Sequence, residues 1–501
     1  MSCRPANNAA PLSALESVLN EFHRQTISYC YWKSSRRIQA VFEGEGDVDL
    51  LIARGDQHRA QAILLKSGFK LFPSVWYRDH PAVVSFLGYD ESSGKLIHLH
   101  LHFRLIIGEP LLKNYRIPWE PVLLDRAVLH ESYPIRILDG ASEALLLVMR
   151  VCLELRRVDL VVLQGWKRLV NKFELDRAFL IEQVTPGALR AIATRLLDDE
   201  SAELVAQAFY CKQPLHDQRH IFRRLRKCVA VHRSYNSSEV RARSLGRTLL
   251  CIGGNLNKQL LIFPRPWSRR APGGGCIIAF VGVDGSGKST LVSVIKEWLG
   301  GKVDVMSTYF GTGDGKPSFW LWPFKRMMPL FTWVLSHKPK PKCASHGPAS
   351  GPNPGLIYSV LLTVWALMVA LDKWKKLIAA RRSTNRGLIV LADRFPQDQI
   401  LGFNDGPLLR RLRWVPAWLV GLEARAYSLA RRVPPDLVIK LVVRQETTAR
   451  REPGMDPIVI RERIAALQQL NFAGARVALV NAEQPLAEVI RAVKREVWNL
   501  I

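Results

Sequence analysis

The spacing of apolar positions changes several times along the chain, and each change marks an element. Residues 47–53 (DVDLLIA) alternate and then run apolar, as a half-buried strand does. Residues 56–67 repeat their apolar positions at helical spacing. Residues 95–107 alternate again, and His98, His100 and His102 share one face of that strand. Residues 142–158 (SEALLLVMRVCLELRRV) carry an apolar stripe behind Ser142, which is placed as a helix N-cap. The first half therefore divides into a mixed region, 14–135, and a helical region, 140–255.

The second half has another pattern. Residues 276–281 (CIIAFV), 387–392 (GLIVLA), 436–443 (DLVIKLVV) and 477–480 are short, unbroken apolar runs. Parallel strands buried on both faces have this composition. Helical patterns follow at 291–299 and after Asn481. The expected fold is α/β: a parallel sheet with flanking helices over 276–501, preceded by an α+β domain and its helical extension. Residues 256–275, which include PRPWSRRAPGGG, have the composition of a linker. Residues 338–355 have almost nothing apolar to bury and read as a loop. Residues 356–371 are uncharged over 16 positions, whereas a membrane span needs about 20. A buried core helix is the expectation there. Peripheral contact with an anionic membrane through the basic flank 372–376 (DKWKK) is the alternative.

Charge narrows the partners. There are 71 Lys and Arg against 44 Asp and Glu in 501 residues, a net charge of +27, which favours anionic ligands. The basic stretch from Arg223 to Arg247 lacks aromatics spaced for base stacking, so nucleic acid is the least favoured of them. Eight scattered cysteines without zinc spacing suggest free thiols. The first residues lack the apolar core of a secretory signal. The expected location is cytoplasmic, with peripheral contact at the inner membrane and homodimerisation left open.

The most specific chemistry lies at 282–290 (GVDGSGKST). It matches G-x-x-x-x-G-K-[ST] between a strand and a helix. Gly282, Gly285 and Gly287 let the backbone wrap a phosphate, with Asp284, Ser286 and Thr290 completing the loop. Lys288 would reach the β- and γ-phosphates of ATP, and the Ser289 hydroxyl would ligate Mg²⁺. The strand at 387–392 ends in Asp393-Arg394-Phe395. A carboxylate at such a strand end faces the ligand crevice. Asp393 could hold Mg²⁺ or orient an acceptor, and Arg394 could grip the acceptor's phosphate. Arg450 and Arg451, beyond the next strand, suit a lid that neutralises transferring charge.

These pieces resemble the thymidylate kinase-like family of P-loop kinases, in the order FVGVDGSGKST, DRF, PPDLVIKLVV and ALVNAEQPLAEVIRAV. The resemblance implies Mg²⁺-dependent transfer of the ATP γ-phosphoryl group to a monophosphate, typically a nucleoside monophosphate. It makes Asp284 the acidic phosphate-loop residue and Asp393-Arg394 the acceptor motif. Ser286 stands where some members have an arginine, which passes that role to Arg450 or Arg451. The acceptor loops at 308–316 and after Phe395 depart from the family, and the apolar insertion 319–371 lies where the acceptor should bind.

In the first half, Asp47 and Asp49 alternate on one strand, so both carboxylates share a face and could hold Mg²⁺. A turn followed by D-x-D resembles the nucleotidyltransferase superfamily, with Lys33-Ser34 where that turn has glycine and serine. His98, His100 and His102 stand where its third carboxylate is expected. They could bind a metal with Asp47 and Asp49, or simply face a cleft. Nucleotidyl transfer through Asp47 and Asp49, and an ATP-binding regulatory role for the P-loop, remain the alternatives. The two-module arrangement resembles uncharacterised bacterial proteins associated with surface polysaccharide synthesis.

Overall fold

The computed structural model describes residues 11–109, 111–154, 163–211, 213–215, 217–260, 263–311, 356–400, 406–411 and 415–501. The expected loop at 338–355 and most of the insertion that begins at 319 lie outside the described residues. The chain forms two units, Met1–Leu256 and Asn257–Ile501.

Unit 1 contains β1 (Tyr29–Tyr31), β2 (Asp47–Ile52), β3 (Lys70–Leu71), β4 (Val83–Asp90), β5 (Lys95–His102), β6 (Ile106–Ile107), β7 (Tyr115–Arg116), β8 (Val128–Leu129) and β9 (Arg136–Ile137). Its main sheet has the order β3-β4-β5-β2-β1-β9-β8, with β6 and β7 paired apart. Helices α1 (Ser13–Arg24), α2 (Ile38–Phe42), α3 (Gln57–Lys66) and α4 (Glu120–Asp125) accompany the strands. A helical part follows: α5 (Gly140–Glu154), α6 (Leu163–Leu180), α7 (Pro186–Leu196), α8 (Asp199–Tyr210), α9 (Arg219–Cys228) and α10 (Ser237–Leu260).

Alternation explains the layering. Val48, Leu50 and Ile52 of β2 join Leu15, Leu19 and Phe22 of α1 in one core cluster. Leu51, from the opposite face of β2, joins the core built around α5. The remaining side chains of that second face are Asp47 and Asp49. Helix α5 starts at Gly140 rather than Ser142, because Asp139 caps it: its Oδ1 accepts from the Ala141 and Ser142 backbone N–H groups at 3.1 and 3.2 Å. The Ser142 hydroxyl itself donates to Asp139 Oδ2 at 2.6 Å. The sequence pattern pointed to the serine because two capping residues lie three positions apart.

Unit 2 contains β10 (Cys276–Gly282), α11 (Lys288–Gly300), β11 (Val305–Tyr309), α12 (Leu356–Thr384), β12 (Ile389–Asp393), α13 (Ala417–Arg432), β13 (Leu437–Val442), α14 (Gln445–Arg451), α15 (Pro457–Gln469), β14 (Arg476–Asn481) and α16 (Leu486–Leu500). The sheet is wholly parallel with the order β11-β12-β10-β13-β14. Ile277 to Val281 are buried in its central strand, β10. The register pairs Phe280 and Tyr309 with Asp393, and Gly282 with Leu441. The C-terminal strand ends therefore meet at one edge, where ligands bind in open α/β sheets.

The stretch read as a linker is packed instead. Trp267 and Ala271 are buried, and Asp304 Oδ2 accepts from the Trp267 N–H at 2.8 Å and the Ser268 hydroxyl at 2.6 Å. Gly275 and Ala271 donate their N–H groups to Thr384 and Gly387 carbonyls. Its Pro and Gly content concealed one anchoring tryptophan, and the buried carboxylate that satisfies its backbone, Asp304, lies outside the stretch.

Helix α12 buries Ala366, Val369, Ala370, Leu377 and Ala380, while Val364, Leu371 and Trp374 are exposed. Part of its basic flank is used internally. Lys373 is buried and donates to the Tyr427 hydroxyl at 3.3 Å, and Lys376 donates to the Tyr309 carbonyl at 2.8 Å. Among the described residues, no helix is long and apolar enough to cross a membrane. Cys30, Cys152, Cys211, Cys228, Cys251 and Cys276 are free thiols.

Candidate active site

Strand β10 delivers the chain into the glycine-rich loop, and α11 begins at Lys288 directly after it. Gly285 and Gly287 have φ of +73° and +90°, values that side chains rarely adopt. Gly282 is glycine for space: a Cβ there would lie 2.5 Å from Ser286 Oγ. The first N–H groups of α11 have no intrahelical partner and face the loop, as an anion site requires. The Ser286 hydroxyl is buried without a hydrogen-bond partner among the described residues. Thr290 is exposed on the first turn of α11.

Lys288 is buried and donates to the Val283 carbonyl at 2.7 Å. Burial, reinforced by the neighbouring Arg394 cation, pushes its ammonium down to about 8, against the pull of Asp284 and Asp393. A phosphate would add counter-charge beside this lysine, whose carboxylate neighbour Asp284 lies 3.9 Å away. Ser289 Oγ donates to Asp393 Oδ2 at 2.7 Å. The other oxygen, Asp393 Oδ1, is buried and has no hydrogen-bond partner among the described residues. A serine hydroxyl and a carboxylate with an unsatisfied oxygen are the donor set that Mg²⁺ takes beside phosphates, so these residues fit that ion.

Three arginines surround the loop. Asp284 accepts from Arg394 at 2.5 Å through one oxygen and from Arg463 through the other. Arg394 follows β12 with φ of +59°, an uncommon conformation for a side-chain-bearing residue, which aims its guanidinium at the phosphate loop. Arg451 donates to the Gly285 carbonyl at 3.1 Å, so the end of α14 lies on the loop. Arg450, one residue earlier, is exposed, with no polar side-chain contact among the described residues. Of the sequence candidates, then, Lys288, Ser289, Asp393, Arg394, Asp284 and Arg451 come together and Arg450 stands apart. Arg463 completes the group. Its sequence signal was only its place on a helix beyond the lid.

The second candidate site is the acidic face of β2. Asp47 Oδ1 lies 2.8 Å from His98 Nδ1. Asp49 Oδ1 lies 3.3 Å from His100 Nδ1 and 3.1 Å from His102 Nε2. Lys33 stands over the Trp32 ring at 3.9 Å, and burial lowers its ammonium to about 7 although Asp49 opposes the shift. A cavity of about 160 Å³ beside these carboxylates is lined by Lys33, Ser34, Arg37 and Lys172 among others. Arg37 and Lys172 lie outside every motif, and only the fold brings them here.

No family profile matches this chain. Two proteins of Escherichia coli are similar to it. The uncharacterised ATP-binding protein YghS of strain K12 is 28% identical over 228 residues, 44% of this chain and 92% of that protein. The uncharacterised ATP-binding protein YghR of the same strain is 26% identical over 225 residues, 44% of this chain and 86% of that protein. Among solved structures, deoxyadenosine kinase from M. mycoides with bound dATP overlaps 44% of this chain and 98% of its own, at 15% identity and a TM-score of 0.27. A TM-score that low establishes no shared architecture.

Proposed function

We propose that unit 2 is an ATP-dependent phosphotransferase of the nucleoside monophosphate kinase type, acting on a monophosphate acceptor. The observation that carries this reading is the junction of the phosphate loop with Asp393. Ser289 donates to Asp393, the second Asp393 oxygen has no partner among the described residues, and Arg394, the next residue, is held on Asp284 of the phosphate loop. The similarity to two E. coli proteins named as ATP-binding supports ATP as the donor.

In this reading the backbone N–H groups of 282–290 and the Lys288 ammonium hold the β- and γ-phosphates. Ser289 and Asp393 hold Mg²⁺, which when bound neutralises phosphate charge and aligns the γ-phosphoryl group. Arg394 and Arg463 are held at the loop by Asp284, ready to exchange that carboxylate for phosphate oxygens. An oxygen of the acceptor phosphate attacks the γ-phosphorus, the bond to the β-phosphate bridging oxygen breaks, and ADP leaves. Arg451, seated on the loop through Gly285, is the lid arginine of the pair weighed from the sequence. Dependence on dTMP in particular is tested with the rest of the acceptors, because the acceptor loops depart from the family pattern.

The test is a panel of nucleotide, sugar and lipid-linked monophosphates with ATP and Mg²⁺, read by ADP release and by the phosphorylated product. At least one acceptor should be phosphorylated, and Lys288→Ala should abolish the reaction. A protein that binds ATP and phosphorylates no acceptor is a regulatory P-loop protein, and the kinase reading then fails.

A further inference from the structure

The acidic face of unit 1 has a donor set that differs from the one in unit 2. β2 and β5 run parallel with Asp47 opposite His98 and Asp49 opposite His100. Because side chains alternate along a strand, two carboxylates and three imidazoles share one face. Two overlapping sets, Asp47–His98–His100 and Asp49–His100–His102, each have their donor atoms within 4.8 Å of one another. Two ligands bonded to one ion at about 2.1 Å, at tetrahedral to octahedral angles, stand roughly 3.0–3.4 Å apart. The Asp49 oxygen meets that spacing with both rings, at 3.3 and 3.1 Å.

Asp49, His100 and His102 are mostly withdrawn from solvent, with side-chain exposures of 16%, 21% and 10%. The adjoining cavity supplies an independent observation. Ser34 lines it, is 3% exposed, and has a hydroxyl with no hydrogen-bond partner among the described residues. Lys33, Arg37 and Lys172 face the same cavity. Arg37 and Lys172, with Lys33, face Asp47 and Asp49, and a divalent ion would add positive charge to that lining. An anion with several oxygens would balance it and satisfy Ser34.

We propose that unit 1 is a transition-metal site: Asp49, His100 and His102 bind a divalent ion of the Zn²⁺ class, and a phosphate group of its ligand sits between that ion and Lys33, Arg37 and Lys172. Imidazole selects Zn²⁺, Co²⁺, Ni²⁺ or Fe²⁺ over Mg²⁺, which prefers an all-oxygen shell with several waters. The two units thus bind different metals. His98 holds Asp47 at the rim as a positioning residue.

The test uses the full chain, stripped with a chelator and titrated with Co²⁺ alone. Visible absorption reports imidazole-bound Co²⁺, and Zn²⁺ displaces it. The expected result is one ion per chain, displaced by Zn²⁺ and not by Mg²⁺ in on the order of 100-fold excess. Asp49→Asn and His100→Gln should each remove the absorption band. His100 is the most exposed of the three ligands, and thermal melting checks that each variant is folded. Lys288→Ala should keep the band, which separates this site from the phosphate loop. Inorganic phosphate should shift the band in the wild type and not in Lys172→Ala. Absence of the band in the wild type, or its survival in folded Asp49→Asn and His100→Gln, overturns the metal site. A wild-type band that phosphate leaves unmoved overturns the phosphate assignment.

Discussion

The two units place carboxylates on strands in different ways. In unit 2 the proposed chemistry rests on the nine residues 282–290, one strand end and the arginines that reach the loop, and the proposed phosphate-binding groups are mainly backbone N–H groups. In unit 1 it is spread over side chains from β2 and β5, separated by 51 residues and joined by strand register alone. A backbone cradle tolerates changes in many of its side chains. A cross-strand cluster depends on every one. Single substitutions should therefore divide the unit 2 residues sharply into essential and dispensable, and affect the unit 1 face more evenly.

After the loss expected at Lys288, the largest expected effect is at Asp393. Asp393→Ala removes the acceptor of the Ser289 hydroxyl and the unsatisfied oxygen beside it. Phosphoryl transfer should fall by on the order of 10³-fold while the fold is kept, since loss of one preorganised charge-stabilising group has that scale. Steady-state kinetics with the acceptor identified from the panel measures it. A fall of only a fewfold would place the metal elsewhere and weaken the link between loop and strand end.

A smaller effect is expected in unit 1, where Glu143 of α5 is buried and accepts the Ser35 N–H at 2.9 Å. Burial raises its carboxyl to about 7 from the usual 4.5, although the Ser35 hydrogen bond opposes the shift. Between those values the folded state holds a proton that the unfolded chain has released. Stability is therefore fully present below about 4.5 and declines as pH rises towards 7. Glu143→Gln keeps an acceptor for Ser35 and removes the titration. Hydrogen exchange of the α5 amides, corrected for intrinsic rate, should show the wild type losing about 2–3 kcal/mol more than the variant between pH 5 and 8. Parallel pH profiles would mean that the carboxyl is already ionised in the folded protein.

The same contrast explains what the sequence revealed. The phosphate loop, its strand and its helix are local, and each could be read from consecutive residues such as Gly282, Gly287 and Lys288. The strand-end placement of Asp393 followed from the apolar run before it. Which histidine meets which aspartate depends on the β2–β5 register, and neither strand states it alone. Arg463 and Lys172 reach their sites from helices whose surface residues look alike in sequence. Asp139 and Trp267 escaped notice because a nearby serine and a run of Pro and Gly gave louder local signals.

The finest resolution the comparison offers is within the lid. Arg450 and Arg451 are adjacent, and successive residues of a helix point about 100° apart. The structure turns Arg451 to the Gly285 carbonyl, leaves Arg450 exposed, and brings Arg463 from α15 onto Asp284. Arg463→Ala leaves Arg394 on Asp284 among the described residues and should lower phosphoryl transfer by about tenfold, the scale of one charged hydrogen bond. Arg450→Ala deletes a solvated charge and should change it by less than about twofold. Measuring both at low and high salt separates the cases: the Arg463 effect should persist when exposed charges are screened, and whatever remains of the Arg450 effect should vanish. The opposite ranking would mean that α14 rotates when nucleotide binds, carrying Arg450 onto the phosphates in place of Arg451.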